Sequence, residues 1–499
     1  KTGVLPHISC VGVFPSVREI DVMTLKAKAV KGVFWSAAER WSAQLLNTVV
    51  FLILARLLGP QDFGLVALAM AFISFAGIFV EAGFSQSIVQ RADLRKSHLD
   101  TAFWSTIVLA LLLGSIMFGL APIIAALLKE PQLESIVRAL SPVFLFSALS
   151  STQGAILRRE FRFKSLGVRT VVANLCGGVT GISCALGGLG VWSLVAQTLV
   201  GSLVGVLILW WTSTWRPGLD VSTRSFSELF SFGVNITGIS ILGFFNKKLD
   251  RLLIGTFLGT AALGYYTIAR RFTEMAADLL LSPIQKVAMP TFARMQTDLP
   301  RLRDAFYRIT KVTSAISSPV FAGMILVAPD FIPVVVGPQW EVSVPVLQLL
   351  AGVGLTWGLT FITLPSMLAA GYSRAAAGFH LINTMANVIG FAIVVQWGIV
   401  AVAAAFLVRG ILLAPLPYWF MHRHLGIWYG RILEDALGVA LSLLLMTAAC
   451  LTTAFLLAES AQWIRLIATV AAGALAYLTG IALLDRGLLA EARAILKIR

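Results

Sequence analysis

Leu57-Leu58-Gly59-Pro60-Gln61-Asp62-Phe63-Gly64-Leu65 returns as Phe257-Leu258-Gly259-Thr260-Ala261-Ala262-Leu263-Gly264-Tyr265, with both glycines kept at an offset of 200. Upstream, Asn47 answers to Asn246; downstream, Gln86-Ser87-Ile88 answers to Gln285-Lys286-Val287. Gly190-Val191-Trp192 resembles Gly398-Ile399-Val400 more weakly. Agreement at several places in one order marks an internal duplication. Each copy of the stretch joins two long apolar segments, so the duplicated unit is itself built of apolar spans.

The surrounding composition names the solvent. Of 499 residues, 58% are hydrophobic and 13% charged, with a mean hydropathy of +0.86. A soluble domain carries about 25% charge. From about residue 33 onward the apolar runs approach the ~20 residues needed to cross ~30 Å of hydrocarbon. The net charge is +15 and the pI about 10. In a soluble protein that would suggest nucleic acid. Here the cations fall in alternate short loops, so they report topology and no nucleic acid is called for. Lys26, Lys28 and Lys31 precede the first span, Arg158, Arg159, Arg162 and Lys164 follow the fourth, and Arg493, Lys497 and Arg499 close the chain. The loops at 59–62, 187–190, 259–262, 329–339 and 396–398 carry neither Lys nor Arg; Lys129 and Arg465 are the main exceptions to the alternation. An even number of crossings with both termini cytoplasmic is expected.

These patterns predict an all-α polytopic membrane protein of about 14 transmembrane helices. Two parallel six-helix lobes, 26–215 (spans 1–6) and 216–425 (spans 7–12), are expected to be related by an axis along the membrane normal, the architecture of alternating-access carriers. Two extra C-terminal helices and a cytoplasmic tail occupy 426–499. Residues 1–25 form an extension expected to be disordered; 1–22 lack the order of a signal peptide, and Met23 looks like a natural start.

Ionisable groups inside a bilayer are costly, from about 2.5 kcal/mol each, and mark function or pairing. In span 1, Ser36, Arg40, Gln44 and Asn47 form one helical stripe with Glu39 beside it, a pattern suited to lining a cavity. In span 7, Asn246 and Asp250 are four apart, as are Lys247 and Arg251; in span 8, Arg270, Glu274 and Asp278 share a face. Counting from Gly259 puts Asp250 and Arg270 at similar depth. This group reads either as a structural salt bridge, with Asp250 neutralising Arg251, Arg270 or Arg271, or, through Lys247 with Lys248, as excess positive charge facing a cleft and suited to phosphates. His380, Thr384 and Asn387 share a face of span 11, and Arg409 is a lone cation in span 12; for these, interhelical bonding and substrate contact stay equally open. Glu39, Glu81 and Asp278 are candidates for H⁺ or Na⁺ coupling. Trp104, Trp210, Trp211, Tyr265, Tyr266, Trp428 and Tyr429, near span ends, are expected as interfacial anchors. The turn at 158–164 is expected to meet anionic lipid headgroups. Cys10, Cys176, Cys184 and Cys450 are scattered and the five histidines form no cluster, so neither a metal site nor a cofactor is expected. No nucleotide-binding loop, HExxH pair or GxSxG elbow is present, which excludes ATP hydrolysis as the driving force.

With the repeat in place, Leu58-Gly59-Pro60-Gln61-Asp62-Phe63-Gly64 after Leu54-Ala55-Arg56, and Asp250-Arg251-Leu252-Leu253-Ile254-Gly255 before Leu258-Gly259 and Leu263-Gly264-Tyr265-Tyr266, resemble the polysaccharide transporter family of the multidrug/oligosaccharidyl-lipid/polysaccharide exporter superfamily, the Wzx-type flippases and their colanic-acid-exporter branch above all. The resemblance covers nearly the whole chain from about residue 24. It implies a flippase of the bacterial cytoplasmic (inner) membrane for undecaprenyl-diphosphate-linked repeat units, working beside a glycan polymerase and other assembly proteins in exopolysaccharide, capsule or O-antigen synthesis. It also implies a cationic cavity between the lobes, a role that falls to Arg40, Lys247, Arg251, Arg270 and Arg409. Two alternatives remain: an ion-coupled multidrug exporter of the same superfamily, and a membrane-embedded glycan polymerase or transferase. The short outer loops disfavour the last.

Overall fold

The computed structural model describes residues 42–485, other than 82 and 92, together with 487. Ser36, Glu39, Arg40 and Cys10, and the segments 1–41 and 488–499, lie outside the described residues. The described chain is predominantly helical. In the first half, α1 (Ser42–Leu57) and α2 (Pro60–Glu81) are followed by α3 (Phe84–Gln90), α4 (Lys96–Leu128), α5 (Pro131–Leu140), α6 (Pro142–Arg159), α7 (Phe163–Leu186) and α8 (Trp192–Thr212). Then come α9 (Thr223–Arg294), α10 (Leu299–Phe331), α11 (Ser343–Thr360), α12 (Thr363–Ala369), α13 (Ser373–Val394), α14 (Ile399–Leu413) and α15 (Pro415–Leu425), with α16 (Tyr429–Leu456) and α17 (Gln462–Leu484) last.

Twelve helical segments among the described residues are long and apolar enough to cross a membrane. One of them, Ile236–Arg294, holds 59 residues, enough for two crossings. It folds at Gly259, whose φ of 84° and ψ of 176° suit only a residue without a side chain. Ser42–Leu57 is a shorter apolar helix beside them. Large apolar side chains such as Leu127, Trp211, Leu412 and Phe455 are exposed, as expected where lipid rather than water covers the surface. This is a multi-pass membrane protein.

Sequence explains why the two copies of the repeat differ locally. In the first, Pro60 opens α2 without needing an N–H partner, and the Asp62 carboxylate accepts the Gly59 N–H at 3.1 Å, so one helix ends and another begins. The second copy has Thr260 and Ala262 at those places, with no proline and no carboxylate, and helical pairing runs through a kink instead. The Thr260 hydroxyl donates to Glu130 Oε1 at 2.7 Å.

These two stretches touch each other. A Cβ added at Gly64 would lie 1.7 Å from the Thr260 carbonyl oxygen, and one added at Gly264 would lie 1.9 Å from that of Pro60. Residue 64 meets 260 just as 264 meets 60, which is the reciprocity a two-fold relation demands. Around this contact, Trp340 Nε1 donates to Ala55 O at 2.7 Å, Arg56 Nη2 donates to Val334 O at 2.8 Å, and Phe63 meets the Trp340 ring edge-on at 5.5 Å. The two halves are thus fastened at the Gly59 end.

The C-terminal pair α16–α17 packs on α10. Arg465 pairs with Asp330 at one end of α10 and Lys311 pairs with Asp485 at 2.8 Å nearer the other, with Tyr477 donating to Ala315 O between them.

Because the close approach leaves no room for a methyl group, Gly64→Ala and Gly264→Ala should each destabilise the protein by about 1–3 kcal/mol or more, the cost of overpacking. Gly119→Ala, in open space, should be neutral or slightly stabilising. Thermal unfolding of the purified protein reads the difference; equal melting temperatures for all three variants would contradict the contact.

Candidate functional site: a polar cluster between the arms of α9

The fold at Gly259 lays the two arms of α9 side by side, and this brings the intramembrane charges together. Tyr266, Arg270 and Glu274 fall on one face of the second arm at intervals of four. Asp250 and Arg251 come from the first arm at matching depth. The Glu274 carboxylate is the centre of the group: Oε1 accepts from Arg251 Nη2 at 2.9 Å and from Arg270 Nε at 3.0 Å. One carboxylate therefore serves two guanidiniums. Arg251 Nε and Arg270 Nη1 are buried with no hydrogen-bond partner among the described residues. A buried donor left unmet costs about 1–3 kcal/mol, more when charged, so the cluster is short of acceptors.

Asp250 does not fill that shortage. One of the two sequence readings pairs it with an arginine side chain; instead its Oδ2 accepts the Tyr266 hydroxyl at 2.8 Å, and its Oδ1 accepts the Arg251 backbone N–H. Tyr266, expected as an interfacial anchor, is fully buried. Its ring faces inward because it shares the helical face of Arg270 and Glu274, a spacing that could have revealed it.

α13 and α14 complete the surroundings. Asn387 Nδ2 donates to Asn246 Oδ1 at 2.9 Å, tying α13 to the first arm. The Phe406 ring lies under two guanidiniums, that of Arg270 at 4.7 Å and that of Arg409 at 4.6 Å. Arg409 is held by Asn383, a partner the sequence reading did not single out. One residue further round the helix, Arg271 reaches the Phe51 ring of α1 at 5.9 Å, and Phe51 meets Phe272 edge-on. The first half thus abuts the second arm through aromatic rings.

The remaining candidates are placed less centrally. Gln44 and Asn47 are half-buried on α1, while Leu45 and Val49 are exposed. Lys247, His380, Asp278 and Glu81 are exposed. In the 158–164 turn, Arg158 donates to Ser85 Oγ, Arg159 to the Ile88 and Arg91 carbonyls and Arg162 to the Thr212 carbonyl, so these cations pin the turn to its neighbours. Phe161, also in that turn, is exposed. Trp104 donates to Gly218 O at 2.8 Å. Cys176, Cys184 and Cys450 are free thiols.

A second polar knot lies at the head of α9, outside its apolar part. Glu228 accepts from Arg224 Nε at 3.0 Å, pairs with Arg91, and meets His98 Nε2 at 3.1 Å. Nearby, Ser87 Oγ donates to Leu229 O. The head of α9 is therefore fastened to α3 and α4 of the first half, and further along α9 packs on α2 of the first half as well as on α10–α14 of the second.

Residues 53–345 match the model of a family described as polysaccharide biosynthesis protein. The chain belongs to this family. Among curated relatives of this polysaccharide biosynthesis protein, it is similar to lipopolysaccharide biosynthesis protein WzxC of Escherichia coli K12, 29% identical over 67% of this chain and 68% of WzxC. It is also similar to succinoglycan biosynthesis transport protein ExoT of Rhizobium meliloti, 29% identical over 73% and 74% of the two chains. Teichuronic acid biosynthesis protein TuaB of Bacillus subtilis is 26% identical over 91% and 95%. Of solved structures, lipid II flippase MurJ in an inward closed conformation shares the fold, with TM-score 0.76, 15% identity, and 91% and 99% of the chains covered. An inward-facing multidrug resistance MATE transporter does so with TM-score 0.63, 18% identity, and 77% and 94% covered.

Within this family member the knot at Glu228 gives a pH-dependent prediction. Hydrogen bonds from Arg224 first, then His98, with the Arg91 charge, hold the Glu228 carboxyl below the usual 4.5, at about 2. A depressed folded-state pKa contributes stability that is complete above the unfolded value and is lost as pH falls through the folded one. Wild-type melting temperature should therefore drop between pH 4.5 and 3 by more than that of Glu228→Gln. Parallel curves for the two proteins over that range would contradict the assignment.

Proposed function

We propose that this protein is a flippase that carries polyprenyl-diphosphate-linked oligosaccharide repeat units across the bacterial cytoplasmic membrane by alternating access. The observation that carries the reading is the Arg251–Glu274–Arg270 cluster, with two guanidiniums on one carboxylate and buried N–H groups left without acceptors. A diphosphate brings the missing acceptors. Charge-assisted hydrogen bonds to arginine are the strong ones, and in a low-dielectric setting a fixed cation offsets much of the cost of bringing an anion in. The names of the relatives, which refer to lipopolysaccharide, succinoglycan and teichuronic acid, and the shared fold of a lipid II flippase support the same substrate class.

Alternating access needs two bodies and a contact that can part. The backbone contact of 64 with 260 and of 264 with 60 closes the Gly59 end. With the basic loops on the cytoplasmic side, that end is periplasmic and the cleft opens inward, both termini being cytoplasmic. Because α9 packs on both halves along its length, rocking of 26–215 against 216–425 displaces this helix. The polyprenyl tail stays in lipid throughout. Glycan polymerase and other assembly proteins receive the product, and H⁺ or Na⁺ supplies the drive through carboxylates such as Glu81 or Asp278.

The multidrug-exporter alternative needs a carboxylate free to take a cationic drug. Glu274 is held by two arginines and Asp250 by Tyr266, so the cluster favours an anion.

In proteoliposomes carrying a fluorescent polyprenyl-diphosphate glycan, Arg251→Gln and Arg270→Gln should each slow flipping by about tenfold or more, the loss of one charge-assisted contact. Folded protein should be recovered at wild-type yield. Wild-type rates in both variants would overturn the assignment; absence of flipping by the wild type would overturn the function.

A further inference from the structure

The turn between α6 and α7 carries a strained aromatic residue and cations that transport does not use. The Phe161 N–H donates to Arg158 O at 3.2 Å and the Arg162 N–H to Leu157 O at 2.9 Å, the paired bonds of a Schellman helix ending. Its central residue takes a positive φ. At the ends of α7 and α12 that residue is a glycine, Gly188 and Gly371; at the end of α6 it is Phe161, with φ 56°. A β-carbon is strained there, and a bulky residue held so calls for a reason beyond ending a helix. Packing is not the reason, because the Phe161 ring is 78% exposed and meets Phe163, itself exposed, edge-on at 6.0 Å. Trp211 is 88% exposed, and Arg162 Nη2 donates to the carbonyl of the next residue, Thr212, so this ring stands beside the turn. Exposed aromatics among arginines mark the membrane–water boundary.

Between α3 and this turn lies a concavity of about 610 Å³, with Arg91, Arg158 and Arg159 as its polar wall and Phe161 and Phe163 as its apolar one. No Asp or Glu is among the lining residues. Ser85 Oγ and the Ile88 and Arg91 carbonyls orient Arg158 and Arg159 without neutralising them. Glu228 reaches Arg91 from α9, and Glu160 faces Arg162 at 3.8 Å. Three guanidiniums in the wall are thus set against one carboxylate. Phe163 also opens α7, whose N-terminal dipole favours an anion. Further along α7, Val168, Leu175, Val179 and Leu186 are exposed at helical intervals, an apolar track leading away from the cations.

From this arrangement we infer a binding site for one anionic phospholipid of the surrounding bilayer. The phosphodiester accepts charge-assisted hydrogen bonds from the arginines. The acyl chains lie on Phe163 and the exposed track of α7, and the Phe161 ring is held among them at headgroup depth, which is what the strained turn achieves. The volume is that of a small-molecule site, ample for a headgroup. Basic juxtamembrane segments attract anionic lipid; here aromatic walls and a shaped cavity make one place of it. None of the lining residues belongs to the Glu274 cluster, so the site stands whatever the protein carries.

The purified full chain is placed in nanodiscs of equal phosphatidylglycerol and phosphatidylethanolamine, released, and weighed by native mass spectrometry. Wild type should retain phosphatidylglycerol in about tenfold excess, the effect of one charge-assisted contact. Gln90→Glu, at an exposed lining residue, puts a carboxylate into the concavity while leaving the arginines' own bonds intact, and should abolish the excess. Phe161→Gly relieves the turn; it should melt no lower than wild type in phosphatidylcholine and yet lose most of the excess. Gln296→Glu, the same charge change in the exposed turn between α9 and α10, should keep the excess in full. Absence of the excess in wild type, or its survival in both Gln90→Glu and Phe161→Gly, overturns the site. So does its equal loss in Gln296→Glu, which would make the preference one of general surface charge. Glycerol 3-phosphate should leave the lipid in place, since the chains carry part of the contact; its displacement of the lipid would show a site for soluble phosphates instead.

Discussion

The structure turns on one backbone-to-backbone contact made twice, Gly64 against Thr260 and Gly264 against Pro60. Helices in lipid gain nothing from hydrophobic exclusion, so they associate through close packing and polar contacts, and small residues set how near they come. Here the approach is so near that no side chain fits. Everything else at this end, from Trp340 on Ala55 to Thr260 on Glu130, is arranged around that spacing. The duplication accounts for its reciprocity: one loop repeated in sequence supplies both faces of one joint.

The same repeat positions the charges. Gly259 folds α9 back on itself, and the fold sets Asp250, Arg251, Arg270 and Glu274 at a common depth. Inside a membrane such groups persist only if each has a partner or a purpose. Glu274 satisfies part of two arginines, Asp250 is taken by Tyr266, and Arg409 leans on Phe406 and Asn383. The balance left over is positive and rich in donors. In the transport cycle proposed above, an anionic headgroup in transit supplies the missing acceptors.

Much of this was legible in the sequence. Apolar length gave the membrane, the spacing of glycines gave the repeat, and i, i+4 spacing placed Arg270 with Glu274. What was not legible is how the arms rotate about Gly259, because helical spacing fixes faces within one helix and says nothing of which faces meet. Hence Asp250 met Tyr266 rather than an arginine, and Tyr266 lay in the core rather than at the interface. The Asn383 amide and the Phe406 ring were missed for a related reason: each matters only through a guanidinium delivered from another helix.

The joint at the Gly59 end must part if the protein works by alternating access, and this can be watched directly. Nitroxide labels at Gln61 and Ala261, both exposed, report the inter-spin distance across it in proteoliposomes. Alternating access predicts one short distance without substrate and a second, longer population once lipid-linked glycan is supplied. A single short distance that persists while the glycan is being flipped would show that the two halves never separate there.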